Sequence, residues 1–67
     1  MESLLTKREK EIFNLLIINK NTKQIAQKLN ISEKTVRNHI SNVIQKLDCN
    51  NRSCAILELI KLGEIKL

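Results

Sequence analysis

Apolar residues recur along the chain at intervals of three and four, interrupted by short polar runs, a spacing that predicts helices and not strands. Thr6 followed by Glu9 has the spacing of a capping box. After it Ile12, Phe13, Leu15, Leu16 and Ile17 form a stripe to bury, while Lys7, Arg8, Lys10 and Glu11 face water. This predicts a first helix over about 7–18. The run Asn19, Lys20, Asn21, Thr22 ends it. Asn21 with Gln24 repeats the capping spacing and opens a second helix over about 22–29, with Ile25, Ala26 and Leu29 apolar. Ser32 is a good N-cap for a third helix over about 33–47, in which Val36, Ile40, Val43, Ile44 and Leu47 share one face. A polar connection from Asp48 to Asn51 leads to a fourth over about 52–62, closed by Gly63 just past its end. Met1 to Leu4 reads as a loose start.

The fourth helix differs from the others in having too much to hide. Ala55, Leu59 and Leu62 are predicted on one face and Ile56, Leu57 and Ile60 on another, and one small core does not cover both.

Composition supports the helical reading, because a chain with no proline and one glycine lacks the turn chemistry of sheets and hairpins. The fold class expected is all-α. At 67 residues the chain is expected to be one domain, 1–67, with no room for a separate catalytic domain and with a core that a partner subunit would help to stabilise. Its formal charge of +5 fits attraction to a polyanion without naming one. Cys49 and Cys54 lack the further Cys or His that would complete a zinc set and are read as plain thiols. Reduced thiols, with no leader and no long apolar run, predict a cytoplasmic location. No nucleophile–base pair, pocket of paired carboxylates or Gly-rich phosphate loop is visible, so neither enzyme activity nor a cofactor or metal is expected.

From Ile25 to Ile40 the chain has the internal spacing of a helix-turn-helix. Small Ala26 lets two backbones approach, Asn30 suits the turn between them, and branched Val36 fills the crossing. The side of the third helix opposite its apolar stripe carries Lys34, Arg37, Asn38, Ser41, Asn42 and Gln45, all donors or acceptors and none a carboxylate.

With these features in place, the sequence resembles the LuxR/GerE-type helix-turn-helix family. The likeness runs from LTKREKEIFNLL (Leu5 to Leu16) through KQIAQKLNISEKTVRNHISNVIQKL (Lys23 to Leu47) to NRSCAILELIKLGEI (Asn51 to Ile65). In organisation it is most similar to free-standing GerE-type members, which lack a receiver or ligand-binding domain, a similarity that adds spore formation to the expectations. Asn19 and Asp48 stand where the family usually has glycine, and both tolerate left-handed backbone.

The resemblance implies a four-helix domain that lays its third helix in the major groove of double-stranded DNA and forms a homodimer through its fourth. The N-terminal half of the third helix then faces base edges. Arg37 is the first candidate for base reading, since a guanidinium donates two bonds to guanine, with Asn38 and Ser41 at the family's groove-facing positions. Lys34, Thr35, Asn42 and Lys46 are candidates for the DNA backbone, as are Thr22 and Lys23 at the start of the second helix, where the helix dipole favours an anion. Ile56, Leu57 and Ile60 are the candidate dimer face. His39, with no companion at ligand spacing, reads as packed or phosphate-bonded. Glu33 reads as a dipole-stabilising residue open to a cytosine contact, and Arg52 as a brace for nearby backbone or carboxylates. RNA polymerase is a further partner open to such a regulator. The competing reading is a dimerisation module that sequesters a larger regulator of the same family. An RNA binder is disfavoured, because Phe13 is the only aromatic side chain available for stacking.

Overall fold

Local hydrogen bonds start and stop the four helices of the computed structural model, which describes residues 4–66. The elements are α1 (Lys7–Ile17), α2 (Thr22–Leu29), α3 (Glu33–Lys46) and α4 (Arg52–Lys61), with no strand among the described residues. The expectation for Met1 to Leu4 falls mostly on residues outside that range. Thr6 and Glu9 form the expected capping box, the Glu9 N–H donating to Thr6 Oγ1 at 3.1 Å and the Thr6 N–H to Glu9 Oε1 at 2.9 Å. Asn21 and Gln24 repeat it at 2.8 and 2.9 Å. Ser32 Oγ caps α3 by accepting from the Thr35 N–H at 3.0 Å, and Asn51 Oδ1 caps α4 by accepting from the Cys54 N–H at 2.8 Å.

The helices stop in one way. Asn19, Asn30, Asp48 and Gly63 all have positive φ, of 69°, 58°, 56° and 76°. Around each, the chain makes the paired bonds of a Schellman motif: the N–H of the left-handed residue reaches back three residues and the next N–H reaches back five. For α3 these are Asp48 N–H to Gln45 O at 3.1 Å and Cys49 N–H to Ile44 O at 3.0 Å. Asp48 is the costliest of the four residues in this role, being non-glycine in left-handed backbone and a carboxylate at the negative end of a helix dipole. Asp48→Gly is therefore expected to stabilise the chain by about 1 kcal/mol, a rise of roughly 4–8 °C in thermal midpoint. An unchanged or lower midpoint in a thermal unfolding experiment would show that neither term operates.

The long helix α3 packs against α1, α2 and α4, and one apolar cluster joins all of them. Ile12, Phe13, Ile25, Val36, Val43, Ala55 and Leu59 are fully buried in it. Leu5 and Ile65, which flank the helices and have no role in the helical pattern, are also core residues. Ala26 and Val36 are buried at the α2–α3 crossing, as the helix-turn-helix reading requires. Leu62 departs from expectation: it was placed on the buried face with Ala55 and Leu59, yet it is 58% exposed. The helix ends at Lys61, the chain reverses at Gly63, and Ile65 folds back to become the buried residue instead, with the Glu64 N–H bonded to Leu59 O at 2.9 Å.

Candidate nucleic-acid interface

At about 100° per residue, Val36, Ile40 and Val43 fall on a narrow stripe of α3, and Lys34, Arg37, Asn38, Ser41, Asn42 and Gln45 occupy an arc of about 140° on the other side. The first set is buried and every member of the second is exposed. A helix held by one side in a core presents its other side as a rigid row, and no acidic residue stands within that row. The left-handed turn at Asn30, with the Ile31 N–H bonded to Ala26 O at 3.0 Å, sets α3 against α2 so that the row faces away from the body of the protein.

Two charge contacts at the margins of this row were not foreseen. Arg37 Nη2 lies 3.3 Å from Glu33 Oε1, one helical turn back, and the arginine side chain is 60% exposed. An acid four residues before a basic residue is a favourable helical pair, so the spacing itself was the available signal. Such an exposed pair is weak and is readily exchanged for an external acceptor. Glu33 thus has a side-chain partner in addition to its place in the first turn of α3.

The other contact serves the fold. Lys46 Nζ sits 2.6 Å from Glu9 Oε1, the carboxylate that also completes the α1 cap. Glu9 is 3% exposed, which makes it the buried charged residue among those described. Burial alone would raise its pKa, but the Lys46 hydrogen bond, the Thr6 N–H and hydroxyl, and the ammonium charge outweigh it and hold the carboxyl below its ordinary value. Lys46, counted from sequence among the DNA-backbone candidates, therefore has an internal partner that ties the last turn of α3 to the first turn of α1.

The remaining candidates lie at the starts of α2 and α3 or farther along α3. Thr22 and Lys23 open α2, directly after its Asn21 cap. Lys34 and Thr35 lie in the first turn of α3, where the Thr35 hydroxyl is 2.9 Å from Ser32 Oγ. Asn42 is exposed farther along, and His39 is half-buried on the flank. Arg52 is exposed at the first position of α4 and makes no hydrogen bond or ion pair among the described residues, so the bracing role expected for it is not seen.

On α4, Ala55 and Leu59 are fully buried, Ile56 and Ile60 pack at the edge of the core, and Leu57 is 60% exposed. These apolar residues run from the core out toward solvent around one side of the helix, with exposed Arg52 and Ser53 among them in its first turn. The expectation of an unsatisfied second face thus applies most fully to Leu57, because Ile56 and Ile60 are already half covered.

Comparison with known proteins agrees with this geometry. Residues 3–59 match the family described as bacterial regulatory proteins, luxR family. The chain is 61% identical over 64 residues to the spore germination protein GerE of Bacillus subtilis (strain 168), a match covering 96% of this chain and 86% of that protein. It is 44% identical over 63 residues to the transcriptional regulatory protein DegU of Brevibacillus brevis, where the match covers 94% of this chain but 27% of the longer protein. The solved structure of the transcription factor GerE superposes with a TM-score of 0.95 at 63% identity, covering 97% of each chain. The chain belongs to the luxR family of bacterial regulatory proteins, and its four helices are that family's helix-turn-helix domain of DNA-binding transcription regulators.

Proposed function

We propose that this chain regulates transcription by binding double-stranded DNA as a homodimer, with α3 in the major groove of each half-site. The observation that carries the reading is the exposed, carboxylate-free row of α3 mounted on a buried aliphatic stripe. A groove about 12 Å wide admits one helix with its side chains. Arg37, Asn38 and Ser41 then read base edges, and Thr22, Lys23, Lys34, Thr35 and Asn42 hold phosphates. Lys46 is assigned to the fold through Glu9. The likeness to a spore germination protein supports a place for this regulator in the spore cycle.

Ile56, Leu57 and Ile60 form the dimer face in this reading. A two-fold pair docked through α4 is expected to select a palindromic site with half-site centres roughly 10 base pairs apart. Selection of bound sequences from a random duplex pool by the purified chain tests this directly. Enrichment of a palindrome supports the reading. Failure of the folded chain to retain any duplex at low salt would leave the sequestering module in its place.

The dimer face has its own test. Leu57 is the cleanest residue to change, since Ile60 also packs on the core and a charge there would disturb the fold. Leu57→Glu is expected to leave helicity and thermal midpoint nearly unchanged while converting the dimer to a monomer in sedimentation, with at least a tenfold weaker hold on the palindrome. A dimer that persists would move the interface elsewhere.

A further inference from the structure

The corner between α3 and α4 carries two thiols that neither the DNA-facing row nor the dimer face uses. Cys49 follows the left-handed Asp48, its N–H tied to Ile44 O at 3.0 Å. Cys54 is the third residue of α4, its N–H tied to Asn51 Oδ1 at 2.8 Å. One backbone anchor is thus the terminus of α3 and the other the cap of α4. Between them the two Sγ atoms are held 2.7 Å apart, with the Cys54 thiol directed at Cys49. That separation exceeds a disulfide bond by about 0.7 Å, so closure needs less than an ångström of movement. Both side chains are half-buried, sheltered from large partners but open to a small oxidant.

We propose that Cys49 and Cys54 are a dithiol modification site, oxidised by a low-molecular-weight disulfide to an intrachain disulfide that staples the end of α3 to the start of α4. The thiolate of one cysteine attacks the oxidant, releasing one small thiol and leaving a mixed disulfide on the protein. The second cysteine gives up its proton and attacks the protein sulfur of that mixed disulfide, forming the Cys49–Cys54 bond and releasing the second small thiol. Two protein thiols thereby lose two electrons and two protons, and the oxidant disulfide becomes two thiols.

The surroundings favour this outcome over metal capture, since no third Cys, His, Asp or Glu joins the pair as a ligand set among the described residues. The Cys54 thiol beside it, its own burial and the charges of Glu58 and Asp48 push the Cys49 thiol up to about 11. Little of Cys49 is thiolate at neutral pH, so closure is slow there and quickens as pH rises. Because the sulfurs already meet, closure leaves the path of the chain at this corner as it is. The bond forms beyond the last turn of α3, away from Lys34 to Ser41, so the oxidised form retains the row described above.

The test incubates the full chain with oxidised glutathione and follows intact mass, free thiols, non-reducing electrophoresis and thermal midpoint. The expected product has lost two hydrogens and both thiols, carries no glutathione, runs as a single chain, and unfolds roughly 5–15 °C higher than the reduced form. Cys49→Ser and Cys54→Ser should each accumulate one glutathione adduct and show no such rise. Persistent adducts on both cysteines of the unaltered chain, or a disulfide between two chains, would overturn the proposal. Retained binding of the selected duplex by the oxidised form is also expected, and this arm alone rests on the DNA reading. Loss of duplex binding after clean closure would overturn the claim that closure keeps the corner's geometry, while no binding in either redox form would count against the DNA reading and leave the thiol result standing.

Discussion

Glu9→Ala is expected to destabilise the chain by about 3 kcal/mol, a fall of roughly 10–20 °C in thermal midpoint, although the residue lies on α1 and is not part of the exposed row of α3. Two losses combine. The substitution removes the carboxylate that accepts the Thr6 N–H at the start of α1, and with it the partner of Lys46 at the end of α3. The lysine side chain is 35% exposed, so water takes over part of its charge and the ion pair is valued at the low end for a buried contact. Glu9→Gln separates the terms, because an amide oxygen still accepts the cap bond while the negative charge is gone.

Acidity gives a second readout of the same contact. The folded-state pKa of Glu9 is lowered, so its contribution is fully present above the ordinary value near 4.5 and is lost as pH falls through the lower folded value. Denaturant unfolding should therefore show unaltered protein more stable than Glu9→Gln at pH 7, with the gap closing on acidification below about 4.5. A gap that stays constant with pH would mean that the Glu9–Lys46 charge pair is not what stabilises the α1–α3 contact.

The second large effect concerns specificity. Arg37→Ala is expected to weaken binding to the selected duplex by roughly 10- to 100-fold, the worth of a bidentate guanine contact, and to weaken random duplex far less. Lys34→Ala should weaken both sequences alike and reduce the salt dependence by about one unit, as expected for a phosphate contact. Titrations of both variants on selected and random duplexes, at two or more salt concentrations, decide the matter. Equal losses on the two duplexes for Arg37→Ala would return that residue to the phosphate class. Glu33 enters the same experiment, since it holds the guanidinium in the absence of DNA. Glu33→Gln should release Arg37 and raise affinity for random duplex, narrowing the discrimination.

How far these features could be seen in the chain depends on how far apart in sequence the interacting groups lie. Each cap pairs residues three positions apart, and Thr6–Glu9, Asn21–Gln24 and Ser32–Thr35 all form between residues the pattern already pointed to or adjoined. Helix ends were legible to within one residue because Asn19, Asn30, Asp48 and Gly63 are residue types that accept left-handed backbone. Arg37–Glu33 was equally local and could have been read from its spacing of four. Glu9–Lys46 could not, since its partners are 37 residues apart and neither neighbourhood marks the other. Leu62 was misplaced for a related reason: helical spacing assigns it to the buried face, but the helix has ended and Ile65 takes that role.

The order and limits of α1 to α4, and the polar makeup of one side of α3, were thus decided by residues within a turn or two of each other, because hydrogen bonding and side-chain periodicity act at that range. Tertiary packing alone determined that Lys46 pairs with Glu9, that Ile56 and Ile60 are half covered while Leu57 is exposed, and that two cysteines from different sides of a turn meet. Those outcomes depend on which helix faces which, and that is settled only when Val36, Ile40 and Val43 are driven out of water against α1, α2 and α4 together.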